Sequence, residues 1–315
     1  MENIKRFELA INVLSKRLSD IFLSMDIKDK ERIREIRLRT NKPVVVITDK
    51  GTEFLLSPNR LTQVYSELIL KTDETEINEI FRRLCGYSVH SFTDAINRGY
   101  ITVSGGHRAG VAGTAVSENG EITAVRDINS VNLRIAREIK GAADEIYKLY
   151  FMHSVTSLII ACPPASGKTT ILRDLARQIS GEERGRFLKT FICDERGEIG
   201  ACFSGEIQND IGINCDLITS YPKAQGIMIG LRSFSPDIIC CDEIATDEES
   251  RAVEAGVNSG VSFILTIHAR SEEELRTKPL IKRLLLSGEF DNVVLLSGIE
   301  VGKIEKLFRA GDLID

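Results

Sequence analysis

The chain has 315 residues, enough for two domains that each bury a core, and its 43% hydrophobic and 28% charged content is that of ordinary globular proteins. No uncharged stretch approaches the ~18 to 20 residues of a membrane span, so a cytoplasmic protein is expected. The net charge of −5 conceals a mild basic surplus in residues 1–140 and an acidic surplus after them, read mainly as solvated surface, and the seven cysteines lack the paired spacing of a zinc site.

Phe7, Ile11, Leu14, Leu18 and Ile21 recur at helical intervals, predicting an amphipathic helix to about residue 23 and a short second helix after it. Residues 36–47 alternate and then become β-branched, and Asp49-Lys50-Gly51 turns the chain back toward 53–56 as a hairpin. Helices are predicted over 61–70 and 74–85, the latter with a capping signal at 72–75. From Tyr87 the pattern turns to strands and glycine, with a glycine-rich hairpin over 100–116, a turn at Asn119-Gly120 and an alternating strand over 131–137. A domain boundary is placed near 138–142. Beyond it strand and helix alternate: strands at 155–161, 187–193, 237–241 and 262–267, with helices at 142–150, 169–179, 223–232, 247–259 and near 272 and 280. That alternation predicts a parallel sheet covered on both faces, with polar strand ends where such sheets place ligands.

The strand at 155–161 breaks into Cys162-Pro163-Pro164-Ala165-Ser166-Gly167-Lys168-Thr169-Thr170 and restarts as a helix. A strand feeding a Gly-Lys-Thr turn aims several backbone N–H groups and a helix N-terminus at one point, which suits a polyphosphate. Residues Pro164 to Thr170 form the expected cradle, with Lys168 on the β/γ-phosphates and the Thr169 hydroxyl on Mg²⁺. Cys162 stands where the pattern has glycine and Ala165 adds a second side chain to the loop; a side chain at a position needing φ > 0 costs about 1 kcal/mol, so some weakening of the loop is expected.

The strand at 237–241 ends in Asp242 and Glu243, placed to hold Mg²⁺ and to orient or deprotonate the attacking water respectively. Two acids before a helix also suit an N-cap. Glu195, in the acidic turn 194–198, and His268, at the end of the strand 262–267, are further candidates for the water or the γ-phosphate.

Four motifs then stand in one order: the loop 162–170, Cys-Asp-Glu-Arg-Gly-Glu-Ile at 193–199, Gly-Leu-Arg-Ser-Phe-Ser-Pro-Asp-Ile-Ile-Cys-Cys-Asp-Glu-Ile at 230–244, and Phe-Ile-Leu-Thr-Ile-His-Ala at 263–269. The series resembles the secretion ATPases of type II and type IV systems, with their Walker A, Asp-box, Walker B and His-box segments. The pieces 35–39, 105–108 and 132–137 are similar to a sporulation branch of that group found in endospore-forming bacteria. The resemblance covers nearly the whole chain. It implies an N-terminal α+β domain (1–140) followed by a RecA-like P-loop NTPase domain (141–315) with a mostly parallel sheet covered by helices. It further implies ATP and Mg²⁺ as cofactors, a hexameric ring with ATP between domains, and arginines near the γ-phosphate, at positions matching Arg108, Arg134, Arg137 and Arg232. The implied task is to energise a channel between mother cell and forespore by docking on a membrane-embedded channel protein from the mother-cell side. Among the alternatives, a nucleotide-binding structural subunit would hydrolyse little. A nucleic-acid remodeller would need aromatics interleaved with basic residues, and without such a row no nucleic acid is expected.

Overall fold

The computed structural model describes residues 2–164, 166–181 and 187–314. It divides into two compact units, Met1–Glu138 with Ala201–Gln208, and Ile139–Gly200 with Asn209–Asp315.

The first unit contains α1 (Glu2–Ile11), α2 (Lys16–Leu23), α3 (Ile27–Arg32), β1 (Glu35–Arg39), β2 (Lys42–Pro43), β3 (Val45–Thr48), β4 (Gly51–Leu56), β5 (Arg60–Thr62) and β6 (Lys71–Thr72). It continues with α4 (Glu74–Leu84), α5 (Thr93–Asn97), β7 (Tyr100–Val103), β8 (His107–Glu118) and β9 (Glu121–Arg134). The sheet runs β5-β4-β3-β1-β9-β8-β7, antiparallel throughout, while β2 and β6 pair separately. Alternation along β1 buries Ile36 and Leu38 in a core shared with Leu14, Leu18, Ile77 and Leu133.

Local sequence misleads in four places here. The first helix is two, because the Ser15 hydroxyl accepts the Leu18 N–H at 3.3 Å and restarts the chain as α2, although the apolar spacing runs on across the break. The extended run over 36–47 is interrupted at Asn41, whose φ of 58° separates β1 from β2 and β3. Residues 61–70 form no helix: β5 leads into turns that reach β6, and Val64, Tyr65 and Leu68 lie exposed, so their spacing serves no buried face. After Tyr87 the chain first makes a tight helical turn, Val89–Phe92, and α5 before the glycine-rich hairpin begins.

The second unit opens with α6 (Asp144–Ile146), widening into a π-helical turn at Tyr147–Phe151, then β10 (Leu158–Cys162), α7 (Lys168–Ser180), β11 (Thr190–Asp194), β12 (Cys215–Thr219) and α8 (Lys223–Ser233). There follow β13 (Ile238–Cys241), α9 (Asp247–Val257), β14 (Ser262–His268), α10 (Glu272–Thr277), α11 (Pro279–Leu286), β15 (Asn292–Leu296), β16 (Ile304–Arg309) and α12 (Ala310–Ile314). The sheet order is β12-β11-β13-β14-β10-β15-β16, parallel except for the last pair. Successive side chains feed two cores: Ile159 and Ala161 meet α8, α9 and α11, whereas Leu158, Ile160 and Cys162 meet α7. Cys240 and Cys241 separate in the same way. The sequence reading lacked β12, β15 and β16. Edge strands such as β12 and β16 are only half buried and charged, so their alternation is weak.

Candidate functional site

The strands β10, β13 and β14 end side by side, and their register sets Cys162 opposite His268 and Cys241 opposite Leu265. Parallel pairing therefore brings the loop after β10, the acids after β13 and the histidine of β14 to one edge of the sheet.

The loop is built as a cradle. Gly167 holds the left-handed φ of 87° and caps α7, whose first turn starts at Lys168 and so turns backbone N–H groups toward the loop. Ser166 is buried, and its hydroxyl donates to the Pro163 carbonyl at 2.8 Å, tying the loop to its own start. Pro164 is exposed; Ala165 lies outside the described residues. Cys162 is an ordinary buried strand residue, and burial pushes its thiol pKa up. Backbone strain is therefore not located at Cys162, and the expectation that this side chain strains the loop is corrected.

The Thr169 hydroxyl donates to Asp242 Oδ2 at 2.7 Å. Lys168 is ion-paired with Glu243 Oε1 and lies 3.9 Å from Asp242 Oδ1. Its ammonium is nearly buried, and that burial lowers its pKa. His268 Nε2 stands 3.2 Å from Lys168 Nζ and 3.1 Å from Glu243 Oε1, serving as acceptor or donor according to tautomer. Burial first, and the adjacent Lys168 second, lower the His268 pKa, which favours neutral imidazole.

The acids stand at the strand end and take no part in the helix cap. Thr246 and Glu249 form the capping box of α9, which leaves Asp242 and Glu243 outside that cap. Glu243 has a φ of 57°, a conformation costing roughly 1 kcal/mol for a residue with a Cβ. Its peptide is clamped on both sides: the N–H donates to Thr266 Oγ1 at 2.8 Å and the carbonyl accepts Lys223 Nζ at 2.7 Å. The Thr266 hydroxyl also bonds Asp242 Oδ1, so one buried side chain orients both acids.

The acidic turn after β11 completes the cluster. Asp194 is buried and accepts the N–H groups of Glu198, Ile199 and Gly200 at 2.9, 3.0 and 2.9 Å, so it shapes the turn; its pKa is nevertheless raised by burial. Arg173 of α7 anchors the same turn through the carbonyls of Ile199 and Glu198, at 2.8 and 2.7 Å. The fold thereby brings Arg196 onto Glu243 Oε2 and sets Glu195 3.5 Å from Lys223.

Of the residues selected from sequence, the second unit gathers Lys168, Thr169, Asp242, Glu243 and His268 into one contact network, with Glu195 joined through Lys223. Arg232 is not gathered: it is exposed on the last turn of α8, while Lys223 at the first turn reaches Glu243, a separation of about 13 Å along the helix. The remaining arginines belong to the first unit. Arg108 and Arg134 are direct partners across β8 and β9, with Arg134 exposed and Arg108 4.9 Å over the Tyr100 ring. Arg137 donates to the Ile33 carbonyl at 2.8 Å, and burial lowers its pKa.

Sequence reasoning passed over Thr266, Lys223 and Arg196, and each had a signal. Thr266 is a lone polar residue in an apolar strand, two before His268 and so on its face. Lys223 occupies a helix's first turn, where the dipole disfavours a cation unless something else holds it. Arg196 sits inside a turn already singled out for its acids.

The residues fit Mg²⁺ bound with a polyphosphate. One hydroxyl and one carboxylate meet at the cradle, whereas the described residues include no cluster of three or more metal-ligating side chains of the kind an all-protein cage needs.

A phosphate cradle on a central parallel strand, with paired acids on a neighbouring strand end, defines a RecA-like P-loop ATPase fold behind an N-terminal α+β domain. The structure is similar to the pilus retraction motor PilT solved with bound ADP, at a TM-score of 0.54 and 16% identity, covering 86% of this chain and 78% of that one. It is likewise similar to the ATPase DotB of Legionella pneumophila, at a TM-score of 0.52 and 15% identity, over 84% and 72%. The chain belongs to the family described as Sporulation stage III, protein AA, which matches residues 4–311. Stage III sporulation protein AA of Bacillus subtilis (strain 168) is 37% identical over 266 residues, covering 84% of this chain and 82% of that protein. More distantly, the Arabidopsis thaliana protein SEEDLING PLASTID DEVELOPMENT 1 is 27% identical over 182 residues, 55% of this chain and 25% of that one. The resemblance read from the four motifs thus holds for family and fold.

Proposed function

We propose that the chain is an ATP hydrolase whose Mg²⁺-dependent site is the cluster at the ends of β10, β13 and β14. The observation that carries this reading is the 2.7 Å contact between Thr169 and Asp242 beside the Lys168–Glu243 pair. A hydroxyl, a carboxylate, a lysine and a second carboxylate stand where a triphosphate, its metal and its attacking water have to meet. Thr169 and Asp242 would hold Mg²⁺, which when bound neutralises phosphate charge. Lys168 and the N–H groups of 166–170 bind the phosphates. Glu243, oriented by Thr266 and Lys223, accepts the proton of the attacking water, and His268 orients that carboxylate. Glu195 acts through Lys223.

In this reading the protein works as a hexameric ring that energises a sporulation channel, docked on a membrane-embedded partner from the mother-cell cytoplasm; its sporulation family and its likeness of fold to the ATPases support that reading. No helix among the described residues is long and apolar enough to cross a membrane, in keeping with attachment through a partner. Arg108, Arg134, Arg137 and Arg232 are the candidates for reaching a γ-phosphate across domains or subunits, and Arg134 and Arg232 are exposed enough to do so.

A second reading, a nucleotide-binding structural subunit, is favoured by one observation: Glu243 is already engaged by Lys168, Arg196 and His268. ATP hydrolysis measured over a range of protein concentrations separates the two. A motor shows a rate per protomer that rises with concentration and is lost, by about 10²-fold or more, in Lys168→Ala and Glu243→Gln. A wild-type rate equal to that of both variants sinks the hydrolase reading.

A further inference from the structure

We propose that the loop between β15 and β16, residues 297–303, is the wall against which the base and ribose of the nucleotide pack, with Ile299 and Val301 covering the face of the base. The inference rests on the reading above that the cradle holds a nucleoside triphosphate, and it adds the part of the site that the sequence motifs leave undefined.

Topology fixes the direction. The acids that face the γ-phosphate and metal follow β13, and His268 ends β14, both on one side of β10 in the sheet. A triphosphate lying along the cradle with its γ end toward those groups sends its α-phosphate, ribose and base to the opposite side. The neighbour on that side is β15, followed by β16.

The loop joining those strands is fastened to the cradle. The Gly302 N–H donates to the Ser166 carbonyl at 2.9 Å. Val301 lies so close to Gly167 that a Cβ added there would come 3.0 Å from Val301 Cγ1, and one added at Gly298 would come 3.2 Å from Pro163 Cγ. The two loops therefore pack closely at both glycines, where a side chain would press its neighbour back by a few tenths of an ångström. The wall is also preformed. The Ser297 hydroxyl accepts the N–H groups of Ile299 and Glu300, both at 3.2 Å, and the Ser297 N–H donates to the Lys303 carbonyl at 2.8 Å.

What this rigid loop presents is apolar and uncovered. Ile299 is 94% exposed and Val301 73% exposed, beside a cradle made of polar donors. The charged side chains between and after them, Glu300 and Lys303, are paired with each other. Two β-branched side chains on a fastened loop offer a flat aliphatic surface to one face of a heterocycle, and covering them removes apolar area from water. The occupant is the base because the loop is continuous with the phosphate site through Gly302 and Val301.

The test is equilibrium binding of ATP and of inorganic tripolyphosphate, each with Mg²⁺, to the full chain, to the double variant Ile299→Ser/Val301→Ser and to Lys168→Ala. The expected result is that wild type binds ATP about tenfold more tightly than tripolyphosphate. The double variant loses that difference while holding tripolyphosphate as wild type does, and Ile299→Leu keeps it. Unchanged ATP affinity in the double variant overturns the proposal, including the case in which the variant fails instead to associate with other copies in sedimentation. Equal loss of both ligands also overturns it, since the loop would then merely support the cradle. The underlying reading fails in a different way: Lys168→Ala binds both ligands as wild type does, or no form binds either.

Discussion

Thr266→Val is the substitution that separates a built site from side chains that merely share a sheet edge. Thr266 has no solvent exposure; its Oγ1 accepts the Glu243 N–H at 2.8 Å and its proton goes to Asp242 Oδ1. Valine keeps the shape and the β-branching and removes only the hydroxyl, leaving one backbone donor and one carboxylate oxygen without a partner. A hydrogen bond to an ionised acceptor contributes about 1.5–3 kcal/mol and a neutral one about 1 kcal/mol. The Asp242 side chain retains 16% exposure, so water offsets part of the loss. A destabilisation of about 2 kcal/mol follows, read from urea unfolding with an unchanged m-value. The larger effect is on geometry, because Glu243 keeps its left-handed backbone through this contact and the one with Lys223. Hydrolysis is expected to fall ten- to a hundredfold with nucleotide binding through Lys168 retained, whereas Thr266→Ser, which keeps the hydroxyl and loses a methyl of about 1 kcal/mol, retains most of the rate. Thr266→Val within about 0.5 kcal/mol of wild type and with full activity would refute the claim that this side chain orients the acids.

The pH dependence of stability has an identifiable contributor in the first unit that titrates above pH 4. His107 is fully buried, its Nδ1 accepts the Ala136 N–H at 2.9 Å, and burial pushes its pKa from 6.5 down to about 4. Because the folded value lies below the unfolded one, this stability is whole above pH 6.5 and is lost as the pH falls toward 4, by at most about 3 kcal/mol. Urea unfolding at pH 7, 5.5 and 4.5 shows that decline, and His107→Gln flattens it; an equally steep decline in the variant places the titration elsewhere. The basic residues at the end of β9 divide by role. Arg137→Ala, which strips a donor from the Ile33 carbonyl, is expected to cost about 2 kcal/mol in the same assay, and exposed Arg134→Ala less than about 0.5 kcal/mol. If Arg137→Ala leaves stability intact and lowers hydrolysis, Arg137 works at the phosphate and not as scaffold.

Much of the second unit was legible because its signals are local. Buried parallel strands read as apolar runs, and the cradle announces itself where such a run breaks at Gly-Lys-Thr before a helical period. Asp242, Glu243 and His268 could be selected because strand ends in this architecture converge, so sequence-distant polar residues become neighbours without any specific pairing being known. The network that fixes their orientation was hidden, since it depends on register: Thr266 reaches both acids only because β13 and β14 pair as they do. Lys223 acquires its role from the turn that carries the chain from β12 into α8. In the first unit, spacing alone failed at 61–70, where Leu61 and Leu70 reach the core without a helix while Val64, Tyr65 and Leu68 between them lie exposed, and at Ser15, where a cap interrupts a period that otherwise continues.

The charge arrangement makes Lys168→Ala and Glu243→Gln fail in opposite ways, and this distinguishes a competing pair from a passive one. The Lys168 ammonium is paired with Glu243, and both side chains are nearly buried, at 10% and 14% exposure. A triphosphate entering the cradle has to draw the lysine away from that carboxylate. Glu243 still has Arg196 and His268 when Lys168 leaves, so its charge stays compensated, but the lysine's contact is lost and its energy opposes binding. Removing the charge with Glu243→Gln removes that opposition. Since desolvation offsets most of the Coulomb gain of a nearly buried pair, its net contribution is on the order of 1 kcal/mol, and Glu243→Gln should bind ATP several-fold more tightly than wild type even as hydrolysis stops, whereas Lys168→Ala should bind it more weakly. Equal or weaker ATP affinity in Glu243→Gln, measured by titration at constant Mg²⁺, would mean that Lys168 exchanges partners without cost and that its pairing with Glu243 does not oppose binding.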